Sequence, residues 1–151
     1  MKFSKTILLF AFILILQSCS SSKFTIQNAD NTAVRPAIEN ESFKISEYAQ
    51  DKKYGYEKSF PINIGFDNER FAERNIQYFF NALQGQNGEK ISYKKVEDCC
   101  PFATKRSQLG AGMLAVYEVS IENSSEKIML YFNIYDKGKL LCPKGFSIKN
   151  K

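Results

Sequence analysis

The sequence predicts a small α+β protein in which a single helix packs on an antiparallel sheet of four or five strands. Apolar residues recur at helical spacing in one stretch, between Ala72 and Leu83. In several stretches around it they alternate with polar residues, as they do in strands with one buried face. The part of the chain with both patterns, residues 54–151, is long enough for one compact domain with a single core.

A short strand and the helix open this domain. Apolar and polar residues alternate over residues 62–66 and predict the strand. Asp67 or Asn68 can cap the helix that follows, and Gly85 stands where a left-handed residue would end it. The apolar face of the helix is formed by Ala72, Ile76, Phe79 and Leu83.

Four further strands are predicted from the same alternation. They cover residues 90–97, 113–122 and 127–135, with a short last strand over residues 146–149. The Asn-Ser-Ser-Glu stretch at residues 123–126 indicates a hairpin turn. One helix across such a sheet is loosely cystatin-like in topology, although no cystatin inhibitory motif is present.

The predicted hairpin has a defined register. If Glu122 pairs with Lys127, then Val119 lies opposite Leu130 and one face of both strands is apolar. A shift by one residue would turn all of these side chains to the other face. The face on which they lie in the structure therefore tests the predicted register. We expect the helix to cover the face formed by Ala115, Tyr117, Val119, Ile121, Ile128, Leu130, Phe132 and Ile134.

The reverse face of the hairpin is a candidate binding surface. It carries Glu118, Met129, Tyr131 and Tyr135, a mixture of charged, apolar and aromatic side chains. The alternative is that the N-terminal segment, or the loop over residues 99–112, covers this face. The sequence leaves both interpretations open.

Residues 1–18 have the pattern of a bacterial lipoprotein signal peptide. Two lysines precede an apolar run over residues 7–16, which is too short for a bilayer core that needs about 20 residues. Ser18 then precedes Cys19, which would become the lipid-carrying N-terminus. An ordinary secretory signal cut nearby and an uncleaved anchor are the alternatives.

The next segment, residues 19–53, is polar and weakly patterned, which predicts a tether between the lipid and the domain. Arg35-Pro36 discourages a continuous element within it. No acidic cluster follows Cys19, which favours a protein that faces the periplasm. We therefore expect a lipid-anchored protein, held on the periplasmic side of the outer membrane.

The chain contains no histidine, which excludes Ser-His-Asp and Cys-His catalysis and removes the commonest zinc ligand. No P-loop, HExxH, GxSxG or GxGxxG motif is present, and we expect neither a cofactor nor a metal. The net charge of +5 falls to +3 when the signal's two lysines are removed, and no dense basic run indicates nucleic-acid binding. A lyase that uses Lys94, Lys95 or Lys105 as a Schiff base remains open.

Cysteines form the second chemical feature of the sequence. In an oxidising compartment the simplest arrangement is one disulfide from Cys99 or Cys100 to Cys142. It would close a loop of about 43 residues and contribute roughly 4 kcal/mol. Unpaired buried thiols, a redox-active Cys99-Cys100 pair and a three-thiolate metal site are the alternatives.

Residues 103–112 form a candidate anion-binding loop. Lys105 and Arg106 supply positive charge, and Gly110 and Gly112 allow the backbone to approach an anion closely. A flexible connection between two strands is the alternative.

Several short motifs lie between residues 54 and 148: Tyr54-Gly55-Tyr56, Asn81-Ala82-Leu83-Gln84-Gly85, Cys99-Cys100-Pro101-Phe102 and Pro143-Lys144-Gly145-Phe146. With them, this part of the chain resembles small secreted proteins and lipoproteins of flavobacteria-like organisms. Members of that group often carry the name 2-dehydro-3-deoxyphosphooctonate aldolase, so the resemblance implies a lyase as one alternative function. Enzymes of that name resemble (β/α)₈ barrels of about 250 residues, and no catalytic motif of theirs matches a position here.

Together these features predict a lipid-anchored protein of the bacterial cell envelope that acts as a non-catalytic binding or structural module. Its expected partners are the membrane, through the lipid on Cys19, and an envelope protein or glycan. The named lyase and a thiol-redox role for Cys99-Cys100 are the alternatives.

Overall fold

The computed structural model describes residues 24–149. Within them, a 3-10 turn over Glu69–Phe71 leads into one α-helix, α1 (Ala72–Asn81). The strands are β1 (Ile38–Glu39), β2 (Ser42–Phe43), β3 (Ile62–Asn63), β4 (Leu83–Gly85), β5 (Ile91–Ala103), β6 (Ala111–Ile121), β7 (Lys127–Asn133) and β8 (Phe146–Ile148). In this part of the chain no helix is both long and apolar enough to cross a bilayer. The predicted signal peptide over residues 1–18 and Cys19 lie outside the described residues.

The α+β class is confirmed, but the main sheet is mixed rather than antiparallel. Its strand order is β3-β7-β6-β5, and β3 runs parallel to β7 with Ile62 opposite Phe132. The predicted last strand does not join it, because β8 pairs with β4 in a separate two-stranded sheet. Strand direction depends on which distant segments meet, and local alternation carries no information about that.

The apolar side chains of the β6–β7 hairpin lie on the predicted face of the sheet. Val119 lies opposite Ile128 and Tyr117 opposite Leu130, which is two residues from the predicted register. Because side chains alternate with a period of two, this shift leaves them on the predicted face. All eight apolar side chains of that face belong to the core or pack against it. Helix α1 covers them, with the rings of Phe79 and Phe132 centred 5.6 Å apart.

The helix begins as predicted and ends earlier. The Asn68 side chain accepts a hydrogen bond from the N–H of Arg70 at 3.2 Å, which caps the 3-10 turn that leads into α1. Gly85 does not end the helix, because α1 stops at Asn81 and Gly85 lies in β4. A Cβ on Gly85 would lie only 3.0 Å from Ile121, so this glycine serves a close approach to the sheet.

Residues 24–53 are folded onto the domain, which differs from the polar tether expected over residues 19–53. Phe43, Ile45 and Ala49 are buried in the core, and the ring of Phe43 lies 5.8 Å from that of Tyr78 on α1. The physical reason is the burial of these few apolar side chains, which are spaced too irregularly to give a periodic signal. The first residues of the expected tether lie outside the described residues.

Candidate functional site

The four residues of the predicted binding surface fall in two separate places. Glu118 lies opposite Met129 in the sheet, and its carboxylate is ion-paired with Lys94 at 3.3 Å and Lys127 at 3.7 Å. Tyr131 follows along β7 next to this cluster, whereas Tyr135 lies beyond the end of β7. The structure therefore does not unite them in one patch.

Between these two places, the reverse face of the sheet is covered. Leu114, Val116 and Phe102 are buried there. Phe24 forms a β-bridge with Phe102, and the two rings are centred 6.2 Å apart. The N-terminal segment thus occupies part of this face, which is the alternative that the sequence had left open.

Tyr135 and Arg106, predicted as parts of two different sites, meet at one cleft of about 390 Å³. The Arg106 guanidinium donates from Nε to the backbone oxygen of Tyr135 at 2.7 Å and from Nη2 to that of Gly65 at 3.1 Å. Gly112 lies in β6 against the Tyr135 ring, since a Cβ there would come within 2.6 Å of two ring carbons. The cleft is lined by Asp67, Asn68, Glu69, Arg106, Gln108, Ile134 and Tyr135.

Charges around this cleft are largely compensated. The Asp67 carboxylate is paired with Arg35 at 3.0 Å and with Arg74 at 3.3 Å. Burial raises the pKa of the Tyr135 phenol above its ordinary value, and the nearby negative charge of Glu69 adds to the shift. The phenol therefore stays protonated near neutral pH and presents a ring and a hydroxyl. Such a lining suits a polar ligand better than proton or group transfer.

A buried polar network that was not predicted from the sequence lies beside the cleft, joined to it by hydrogen bonds from the N–H of Arg106 to Thr104 and from the N–H of Tyr135 to Asn133. The Asp136 carboxylate accepts hydrogen bonds from Thr104 at 3.0 Å, Asn31 at 3.1 Å and Asn133 at 3.1 Å. Asn133 also donates to the side-chain oxygen of Asn63 at 2.9 Å. The sequence feature that indicates it is an asparagine at the centre of each of two short apolar runs, Ile62-Asn63-Ile64 and Phe132-Asn133-Ile134. This network holds the N-terminal segment, the sheet and the β5–β6 loop together.

The predicted anion loop is closed on itself. The N–H of Gly110 donates to the Ser107 oxygen at 3.1 Å, and the N–H of Arg106 donates to the Thr104 hydroxyl at 3.1 Å. Leu109 likewise donates to the Ser107 hydroxyl at 3.3 Å. These N–H groups are already used, and Gly112 belongs to β6, so the backbone here is not arranged around an anion. Lys105 remains exposed in the loop.

The predicted long-range disulfide is wrong, because Cys99 and Cys100 are bonded to each other. They lie at an irregularity in β5 between Cys99 and Phe102, where Cys100 adopts a φ of +61°. Cys142 is a free thiol buried in the core. Its backbone forms an isolated β-bridge with that of Tyr48. The core thus encloses Cys142, whereas the disulfide lies in the edge strand of the sheet.

Lysines proposed for Schiff-base chemistry lie at the surface. Lys94 pairs with Glu118, and Lys95 pairs with Asp98 at 2.9 Å. Both side chains are charged partners at an exposed sheet edge, which gives the lyase alternative no supporting geometry. Within residues 24–149, no three or more His, Cys, Asp or Glu side chains are grouped so that they would hold a metal ion.

Comparison with family models, with curated protein sequences and with solved structures gave no match.

Proposed function

We propose that this protein is a lipid-anchored module of the bacterial cell envelope that binds a polar partner without catalysis. The observation that carries the proposal is the signal pattern that ends at Cys19: a basic start, a short apolar run and a small residue before the cysteine. The proposed location is the periplasmic side of the outer membrane, and it is supported by the lack of an acidic cluster after Cys19.

The Tyr135 cleft is the proposed binding site. It combines an aromatic ring with amide, carboxylate and guanidinium groups. The guanidinium of Arg106 is held by the backbone oxygens of Tyr135 and Gly65, and the carboxylate of Asp67 is held by Arg35 and Arg74. Preorganised polar groups around a ring favour recognition of a glycan or of a polar segment of an envelope protein. The ion-paired surface around Glu118 has a smaller pocket of about 160 Å³.

Mass spectrometry of the mature protein from an envelope fraction tests the anchor. We expect an N-terminal Cys19 that carries a diacylglyceryl thioether and an amide-linked acyl chain. Cys19→Ala should abolish the added lipid mass, and the chain should then be either unprocessed or released from the membrane. Ser20→Ala, the control, should leave the modification intact. An unacylated product that begins at another residue would overturn the proposal.

A thiol-redox role is the second candidate, and the Cys99–Cys100 bond is the observation that favours it. A partner dithiol would supply two electrons and two protons, reducing this bond to two thiols while its own sulfurs form a disulfide. If the pair is redox-active, the protein should accelerate insulin reduction by a dithiol, and Cys99→Ser should abolish the effect. Cys142→Ala, the matched control, should retain it. Equal rates with and without the protein would eliminate this role.

A further inference from the structure

The folded domain begins almost at the proposed lipid. Phe24 is fixed to β5 by its bridge to Phe102, and the ammonium of Lys58 lies 5.5 Å from the centre of the Phe24 ring. Cys19 precedes Phe24 by five residues, which span at most about 18 Å even when fully extended. A domain of this size is about 35 Å across. Phe24, and with it the end of β5, therefore lies within about 18 Å of the membrane that holds the lipid, which is about half the width of the domain.

The loop that leaves this end of β5 carries an unusually exposed apolar side chain. Leu109 is 90% exposed in a loop closed by the hydrogen bond from Thr104 N–H to the Gly110 oxygen at 3.2 Å. Lys105 and Arg106 are exposed in the same loop. An exposed apolar side chain in the same loop as two basic ones is a combination also found in segments that lie in a membrane interface.

We infer that the β5–β6 loop docks on the phospholipid bilayer that carries the anchor, with Leu109 inserted at the headgroup boundary. Lys105 and Lys58 then lie near anionic headgroups, while Arg106 stays clamped to the backbone oxygens of Tyr135 and Gly65. Glu69 across the cleft offsets part of the positive charge. Insertion of Leu109 is therefore the main contribution to binding of the loop to the bilayer. The inference rests on the proposed lipid on Cys19 and adds an orientation, in which the Tyr135 cleft opens close to the membrane surface.

Val34 provides a matched control for this inference. It is 87% exposed, nearly as much as Leu109, but lies beside Lys139 and Leu140 at a different cleft. If exposure alone caused contact with lipid, both positions would report it. If the anchor orients the domain, only position 109 should.

The test uses the full lipidated chain, purified from membranes and reconstituted in phosphatidylethanolamine–phosphatidylglycerol vesicles. Leu109→Cys and Val34→Cys are each labelled with the fluorophore NBD without reductant, so that the Cys99–Cys100 bond stays closed, and the unsubstituted chain serves as the labelling blank. We expect the emission at position 109 to shift to the blue and to fall by more than half with nitroxide lipids, and the emission at position 34 to change little.

The outcomes separate this inference from the proposed anchor. Equal, weak quenching at both positions, with the acylated chain floating with the vesicles, would overturn the docking and leave the anchor intact. Strong quenching at position 34 alone would also overturn it, since the domain would then be oriented the other way. A chain without acyl mass that does not float would overturn the anchor and the orientation together.

Discussion

Burial changes the acid–base chemistry of individual side chains in the core. It raises the pKa of the Cys142 thiol to about 12 and is also the largest cause that raises the pKa of Tyr56 to about 12. The pKa of the buried Tyr54 phenol is raised for the same reason. The folded protein keeps these protons at a pH where the unfolded chain releases them, so the folded state loses relative stability in alkaline solution.

The free energy of unfolding should therefore fall as the pH rises above about 9, the range in which an unfolded cysteine begins to ionise. The stabilising contribution of Cys142 is complete below that pH and is lost progressively up to its folded pKa of about 12. Urea unfolding between pH 7 and pH 11 would measure the slope of the free energy of unfolding against pH. Cys142→Ala removes this titration, so its slope should be shallower whatever its stability at neutral pH. Identical slopes for the two proteins would contradict the assignment.

Helix α1 and the main sheet are joined by aromatic stacking and by one hydrogen bond to a carboxylate. The ring of Phe80 stacks on that of Tyr93, with centres 3.9 Å apart, and lies 5.8 Å from Tyr117. The Tyr117 hydroxyl donates to the Glu73 carboxylate in the first turn of the helix at 2.6 Å. Burial raises the pKa of Tyr117, and this hydrogen bond adds to the shift. The phenol therefore remains a donor to the helix at all moderate pH values.

Tyr117→Phe should lower the free energy of unfolding by about 1.5 kcal/mol, the usual contribution of a hydrogen bond to a charged group. The ring contacts remain, so the loss belongs to the hydroxyl. Tyr93→Phe is the matched control on the neighbouring strand, because its stacking on Phe80 needs no hydroxyl, and we expect little change. Chemical denaturation of both variants at pH 7 gives the comparison. Equal losses in the two would show that the Glu73 contact contributes nothing specific.

Across the whole molecule, three segments distant in sequence are held together at the Tyr135 cleft. Asp136 binds Asn31 from the N-terminal segment and Thr104 from the β5–β6 loop, and Asn133 links it to β3 through Asn63. Alternation alone marks positions 63 and 133 as strand residues. It does not reveal that two buried amides meet across a parallel pair, which satisfies their hydrogen bonds in the interior.

Sequence periodicity was sufficient for the helix and for the buried face of β6 and β7, because each of these depends on side chains a few residues apart. Residue type marked Asn68, with Asp67, as a possible cap. The sequence also marked both halves of the candidate site, but as members of different surfaces: Tyr135 through the alternation of the hairpin, and Arg106 through the charge of the loop over residues 103–112. Their meeting depends on the position of the β5–β6 loop relative to the end of β7.

Contacts between distant segments decided the remainder. The parallel placement of β3, the burial of residues 43–49 and the cover of Phe24 over Phe102 all require knowledge of which surfaces meet. The cysteines show the same division: their number and spacing allowed several pairings, and the fold separated Cys142 in the core from the Cys99–Cys100 bond in the edge strand. Local patterns encode which side of an element is apolar, whereas the free energy of burying that side depends on the whole chain.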